Sequence, residues 1–326
     1  MTLPVLVAPD TFKGTFSATE VASAVARGLR AGGREAMELP VADGGEGTME
    51  VIVRALGAEL RPASVSDPLG RTIEASFAML PGGRTAVVEA AQASGLGLVR
   101  EDERDPLAAS SRGTGELIGA ACAAGASAVL VTVGGTATTD GGAGALEALA
   151  ESGADPRLEV LCDARIAWED APRVFAPQKG ADPRTVGLLE RRLDELAEAA
   201  PRDPRGVALT GAAGGLSGGL WAHRAAKLVA GAPYVLDLLG FDALMRQAAF
   251  VVTGEGRIDS QTLQGKILGE VATRSRQAGV ACHAVVGQRD LSAFDARILD
   301  LSTITEARTL EELETAGRSL AHGTSL

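Results

Sequence analysis

Three glycine-rich stretches carry carboxylates, and each follows an apolar run. They are Pro40-Val41-Ala42-Asp43-Gly44-Gly45-Glu46-Gly47-Thr48, Val133-Gly134-Gly135-Thr136-Ala137-Thr138-Thr139-Asp140-Gly141-Gly142-Ala143-Gly144 and Val251-Val252-Thr253-Gly254-Glu255-Gly256-Arg257-Ile258-Asp259. A strand that ends in glycines lets backbone N–H groups turn toward a ligand. A helix starting just beyond adds partial positive charge, and the combination suits phosphate. An Asp or Glu beside such a nest repels a bare phosphate, so a divalent cation is the natural mediator. One such stretch reads most simply as a tight turn. Three in one chain point to phosphate chemistry.

Lysine placement sharpens this reading. Of 31 Lys and Arg residues, the lysines are Lys13, Lys179, Lys227 and Lys266. Three of them adjoin a glycine in a loop-like setting: Lys13-Gly14, Lys179-Gly180 and Gly265-Lys266. A lysine ammonium is a compact point charge that can follow a moving phosphoryl group, whereas arginine offers a planar fork. Lys227, in Ala225-Ala226-Lys227-Leu228-Val229, reads as an ordinary residue on a helix surface.

Phosphoryl transfer needs donors for the phosphates, carboxylates for a metal, a positive group on the transferring oxygens, and a base or orienter for the acceptor hydroxyl. The glycine nests with Thr136 and Thr138 supply donors. Asp10, Asp43, Asp140, Asp163, Glu255 and Asp259 are candidates for metal or base, and Lys13, Lys179, Arg257 and Lys266 supply charge. Each has a plainer reading too. Asp10 or Asp43 could cap a helix or brace a turn, and Arg257 could pair with Glu255 or Asp259. The GxxxxGK[ST] loop, the GxGxxG fingerprint with its ribose acid and the protein-kinase motifs are all missing.

Composition narrows the classes. The net charge is −11 with no basic stripe, which makes nucleic acid and anionic membranes poor partners. No apolar run reaches membrane-spanning length, and the N-terminus lacks the pattern of a signal peptide. Cys122, Cys162 and Cys282 form no CxxC pair and imply a reducing, cytoplasmic home. Three scattered histidines and no GxSxG elbow argue against a zinc site or a serine–histidine triad.

The elements that must position these residues alternate early. Leu3–Ala8 reads as a buried strand, Ser17-Ala18-Thr19-Glu20 as a capping box opening a helix, and Ala36–Val41 as a second strand. Arg61–Ser66, Thr72–Leu80 and Arg84–Ala90 read as antiparallel strands joined by short Pro/Gly turns. Strands at Ala128–Val133 and Leu158–Cys162 and a charged helix at Pro183–Ala199 follow. The β–α rhythm resumes with strands at Ala249–Thr253, Ala281–Val286 and Ser302–Thr305 and a helix near Lys266–Ala278. Two early and three late strands make a five-stranded doubly wound parallel sheet, interrupted by a second, mixed α/β domain. The expected boundaries are 1–60 with 240–326 for the first domain and 61–239 for the insertion.

Taken in order, Ala8-Pro9-Asp10-Thr11-Phe12-Lys13-Gly14, the Asp43 loop, Gly113-Thr114-Gly115-Glu116, the Gly134–Gly144 loop, Pro177-Gln178-Lys179-Gly180-Ala181, Gly211-Ala212-Ala213-Gly214-Gly215-Leu216 and Val252–Thr262 resemble the bacterial type I glycerate kinases. The resemblance runs from the first strand to about Gly287. It implies a flavodoxin-like domain interrupted by a second α/β domain, and ATP-dependent phosphorylation of glycerate with Mg²⁺, at the 2-hydroxyl. Departures fall in the insertion: a family segment is missing between Ala150 and Leu158, and Ala176 and Thr139 replace a usual glycine and asparagine.

On that basis Asp43 is expected to orient or deprotonate the acceptor hydroxyl, with Lys13, Lys266 and Asp10 completing the catalytic set. Arg257, Glu255, Lys179, Gly44 and Gly45 are expected around the substrate. Gly134, Gly135, Thr136, Thr138, Gly141 and Gly142 are expected on the ATP phosphates, and Asp140, Asp163 and Asp259 near the metal. Expected partners are glycerate and ATP, in a monomer or homodimer. A kinase for another small hydroxy acid, or a weakened relative that only binds nucleotide or hydroxy acid, remains an open alternative.

Overall fold

The computed structural model describes residues 3–259, 262 and 266–323. In chain order its strands are β1 (Val5–Pro9), β2 (Ala36–Glu38), β3 (Glu59–Ser66), β4 (Thr72–Met79), β5 (Thr85–Glu89), β6 (Ala128–Val133), β7 (Arg157–Cys162), β8 (Lys227–Ala230), β9 (Val251–Ile258), β10 (Cys282–Arg289) and β11 (Thr303–Glu306). The chain forms two compact units, Met1–Asp43 with Ala232–Leu326, and Gly44–Gly231.

The first unit is a five-stranded sheet of order β11-β10-β9-β1-β2, parallel throughout. Numbered within the unit this is 2-1-3-4-5, the flavodoxin order. Every residue of β1 is buried, as expected for a strand covered on both faces. One face is covered by the helices Ala18–Ala31 and Leu310–Ala321, through Val21, Val25, Leu29 and Leu313. The other is covered by Phe241, Ile267 and Val271. The Ser17 capping box forms as read: Ser17 Oγ accepts from Glu20 N at 3.2 Å, and Glu20 Oε2 accepts from Ser17 N at 2.8 Å.

The second unit holds a six-stranded sheet of order β3-β4-β5-β6-β7-β8. The β3–β4 and β4–β5 pairs are antiparallel, as their short turns imply, and the remaining pairs are parallel. Its core combines Val88, Val131 and Val160 from the strands with Leu117, Leu149 and Leu216 from helices. Gly153 to Pro156 alone connect the helix Ala143–Ser152 to β7, yet β6 and β7 stay in register from Ala128↔Arg157 to Val133↔Cys162. The shortened connection therefore leaves the sheet intact.

Two readings need correction. Lys227 lies on β8 rather than on a helix, and its Nζ donates to Glu159 Oε1 on β7 at 2.6 Å. A four-residue edge strand among alanines gives little alternation to read. The Gly254–Arg257 stretch is also not a loop: it is the second half of β9. Its glycines permit close approach, not a turn. A Cβ on Gly254 would collide with Val285 O on β10, and one on Gly256 would sit 3.2 Å from Phe12 Cα.

The Asp43 loop does run into a helix, Thr48–Leu56, but that helix end is already occupied. Glu89 Oε2, at the end of β5, accepts from Gly47 N at 3.1 Å and Met49 N at 2.9 Å. Burial raises the Glu89 pKa, while these two donors hold it down. Glu89→Ala would strand the Met49 donor in a buried setting and the Gly47 donor in a half-buried one, at a cost of ~1–3 kcal/mol. The expected result is a lower unfolding midpoint, partly restored by Glu89→Gln. An unchanged midpoint for the alanine variant would show that the cap is not structural.

Candidate functional site

In the first unit a cavity of about 620 Å³ opens at the carboxyl ends of the parallel strands. This is where open α/β sheets bind ligands, beside the point where strand order reverses. Asp10, Lys13, Asp43, Glu255, Arg257 and Lys266 all line it. Residues that are far apart in sequence thus converge: Asp10 follows β1, Asp43 follows β2, Glu255 lies in β9, and Lys266 caps the helix Ile267–Ala278. Thr11, Phe12, Thr15, Gly256, Gly287, Gln288 and Arg308 complete the wall; of these Thr15, Gln288 and Arg308 lie outside the sequence motifs.

The Lys13 loop is rigid for a local reason. Phe12 N donates to Phe16 O at 2.8 Å, Phe16 N donates back to Phe12 O at 3.0 Å, and Thr11 Oγ1 adds a bond to Phe16 O at 3.0 Å. The Phe12 side chain is buried, and Gly14 takes a left-handed conformation (φ 76°). The result is a small closed loop with Lys13 near its tip, seated on the bare backbone of Gly256.

Asp10, Asp43 and Glu255 are each about 5% exposed or less. Burial raises the Asp10 carboxyl well above its ordinary range; nearby Asp43 adds to this, and Lys13 opposes it. Burial likewise pushes Glu255 up to about 7, against the hydrogen bond from Thr262 and the charge of Lys266. Buried carboxyls shifted toward neutrality, beside lysines in a cavity, are what proton transfer near pH 7 requires. The shift carries a stability consequence. The folded state holds the Glu255 proton more tightly than the unfolded chain, so raising the pH from about 4.5 to about 7 loses stability. The stability of Glu255→Gln relative to the parent should therefore climb between pH 5 and pH 8. A difference that stays flat with pH would contradict the shift.

Arg257 lies on the cavity wall, and its Nε is 2.6 Å from Asp290 Oδ2 and 4.0 Å from Asp259 Oδ2. Of the two partners that the plainer reading offered, Glu255 or Asp259, Asp259 is the one within reach, and it is secondary to Asp290, 33 positions along the chain and outside every motif.

The second unit gathers a different set. Gly134, Gly135, Thr136, Asp163 and Lys179 line a cleft of about 40 Å³ with Phe175, Gln178 and Ala213. Gly45 packs here as well: a Cβ on Gly134 would lie 2.6 Å from Asp163 Oδ2 and 2.7 Å from Gly45 Cα. Gly44 packs instead on Leu161 and Gly231. Lys179 is buried, and its Nζ donates to Thr138 O at 2.5 Å. Burial lowers its pKa to about 8, opposed by the charges of Asp140 and Asp163.

The far half of that loop is committed to structure. Asp140 Oδ2 accepts from Ser111 N and Ser111 Oγ, both at 2.8 Å, and from Gly144 N at 3.2 Å; Oδ1 accepts from Gly142 N at 3.2 Å. It caps the helix Ala143–Ser152 and stitches the loop to Ser111, so its oxygens face protein donors rather than a metal. Gly141 and Gly142 pack on Trp168 and Leu216. Both helix N-termini read as phosphate nests thus already hold a carboxylate, Glu89 or Asp140. The glycine pattern could not reveal this, because Glu89 and Ser111 come from elsewhere in the chain.

The hydroxyls of Thr136, Thr138 and Thr139 are buried without a protein hydrogen-bond partner. Unmatched buried donors of this kind suit an incoming polar ligand. Among the described residues no three His, Cys, Asp or Glu side chains group as a metal site. Ser260, Gln261 and Gly265 of the motifs lie outside the described residues. No helix among the described residues is long and apolar enough to cross a membrane.

Comparison with known proteins identifies the family. The sequence model of the glycerate kinase family matches residues 5–164 and 151–323. The two matches overlap where the segment between helix Ala143–Ser152 and β7 is shortened. The chain is 39% identical to glycerate kinase of Bacillus subtilis, over 95% of this chain and 92% of that one. That alignment runs over 356 positions, more than the 326 residues present, so gaps fall in this chain. It is 36% identical to glycerate 2-kinase of Escherichia coli, over 94% and 93% of the two chains. A crystal structure from Salmonella typhimurium LT2, provisionally designated glycerate kinase 2, superimposes with a TM-score of 0.80 at 32% identity, over 99% of this chain and 98% of that one. The chain carrying these two α/β units belongs to the glycerate kinase family.

Proposed function

We propose that this enzyme transfers the γ-phosphoryl group of ATP to the 2-hydroxyl of glycerate. The observation that carries the reading is the single cavity in which Asp10, Asp43 and Glu255 meet Lys13 and Lys266 at the carboxyl ends of β1, β2 and β9. Its volume exceeds that of a three-carbon acid and leaves room for the group being received.

Asp43 accepts the hydroxyl proton as the oxygen attacks phosphorus; the bond from phosphorus to the bridging oxygen breaks, and ADP leaves. Lys13 and Lys266 meet the negative charge spread over the transferring oxygens. The guanidinium of Arg257 suits the glycerate carboxylate, since its Nε is already steadied by Asp290 and a planar fork matches two oxygens. Asp10, held toward its neutral form, keeps the carboxylate cluster from repelling an anionic substrate.

For ATP, Gly134, Gly135 and Thr136, with the unmatched Thr136 and Thr138 hydroxyls, provide phosphate donors, and the buried Lys179 provides charge. A magnesium ion, when bound, would supply charge neutralisation for the phosphates. Mg²⁺ takes one or two carboxylates together with phosphate oxygens and water, so a site without three grouped ligands is compatible with it. Asp163 is the carboxylate on that cleft that would hold it, whereas the oxygens of Asp140 are committed to its loop, and an Asp259 oxygen lies 4.0 Å from Arg257 Nε.

Phosphorus NMR of the product formed from ATP, Mg²⁺ and D-glycerate tests the choice of hydroxyl. 2-Phosphoglycerate is expected; 3-phosphoglycerate as the sole product would overturn the 2-hydroxyl assignment while leaving the kinase reading in place. The similarity to glycerate 2-kinase of Escherichia coli supports the 2-position.

A further inference from the structure

Thr262 closes one of the motifs noted in the sequence but has no part in the chemistry above. It is fully buried, and its hydroxyl is used in both directions. Thr262 Oγ1 donates to Glu255 Oε1 at 2.6 Å and accepts from Asp259 N at 3.2 Å, while Thr262 N donates to Asp259 O at 3.0 Å. The carbonyl of Thr262 lies against the first turn of the helix Ile267–Ala278, so close to Gly269 that a Cβ there would collide with it. Lys266 caps that helix, and its carbonyl accepts from Glu270 N at 3.1 Å.

Glu255 is itself fixed. It sits in β9 in register with Val286 of β10, next to Gly254, whose carbonyl accepts from Asp10 N at 2.8 Å. One continuous set of contacts therefore runs from the rigid sheet, through the Glu255 carboxylate and the Thr262 hydroxyl, to the helix end that presents Lys266.

We propose that Thr262 is a positioning residue for phosphoryl transfer: its hydroxyl clamps the Lys266-bearing helix end to Glu255, so that the ammonium is delivered at a fixed place in the cavity. This rests on the kinase reading for its catalytic half and on geometry alone for the clamp. A lysine that meets charge only in the transition state is felt in kcat rather than KM when displaced.

Thr262→Val keeps the shape and removes the hydroxyl, and Thr262→Ser keeps the hydroxyl. The valine variant is expected to lose about tenfold or more in kcat, with KM for glycerate changed less than about threefold, and the serine variant to recover most of the loss. Hydrogen exchange reads the clamp without turnover: the backbone amides of Lys266 to Glu270 should exchange faster in the valine variant than in the parent or the serine variant. Exchange unchanged in Thr262→Val overturns the clamp, whether or not the parent phosphorylates glycerate. Faster exchange with unchanged kcat in an active enzyme overturns the positioning role, as does a serine variant as impaired as the valine one. A parent that turns over no glycerate would count against the functional reading, and the exchange result would still decide the clamp.

Discussion

Asp43→Asn is expected to lower kcat for glycerate by ~10²–10⁴-fold, the usual contribution of a positioned general base. The substitution keeps size and shape but removes both the negative charge and the capacity to take the proton. Asp43 is buried at the carboxyl end of the sheet, on the cavity that also holds both lysines. Its charge acts on Asp10 and Glu255, raising both. Removing that charge has a second, separable effect: Glu255 and Asp10 should ionise at lower pH in the variant. Turnover measured against pH for parent and variant distinguishes the two effects. A variant within threefold of the parent at every pH would remove Asp43 from the proton-transfer role and leave it as one member of an electrostatic cluster.

Lys13→Ala is expected to cost at least ~10²-fold in kcat, since deleting one donor to developing transition-state charge typically costs ~2.7–4 kcal/mol. The loop that carries Lys13 is held by backbone bonds between Phe12 and Phe16 and by the buried Phe12 ring, none of which involves the lysine side chain. The fold of the loop should therefore survive, and a midpoint of unfolding close to that of the parent is the accompanying expectation. A loss below threefold would make Lys13 a structural or solvated charge. Lys13→Arg should recover little, because a planar fork does not reproduce a compact ammonium at the loop tip.

Much of this was legible in the residues themselves. The Ser17 capping box, the hairpin turns of β3–β5 and the apolar runs of the parallel strands are local signals, and the elements formed where those signals stood. The cavity set was legible for a different reason. Lys13, Asp43 and Lys266 sit at strand ends and helix starts, and in a parallel α/β unit the sheet gathers such positions on one edge.

What was not legible depends on partners distant in sequence. Gly254 and Gly256 looked like turn residues, but they are strand residues whose missing side chains make room for Val285 and Phe12. Asp140 looked like a metal ligand, but Ser111 and the backbone of its own loop use its oxygens. Glu89 carried no motif at all, yet it fills the helix end that the Asp43 loop seemed to offer to phosphate. A glycine pattern reports that backbone is exposed to something; only the packed structure shows whether that something is ligand or protein.

The most direct test is steady-state ADP release by the purified protein with ATP and Mg²⁺, with and without D-glycerate, run beside Asp43→Asn and Lys13→Ala. Glycerate-dependent release by the parent, reduced at least ~10²-fold in both variants, is the predicted result. A folded parent with no glycerate-dependent release, or variants as active as the parent, would contradict the assignment of phosphoryl transfer to this cavity.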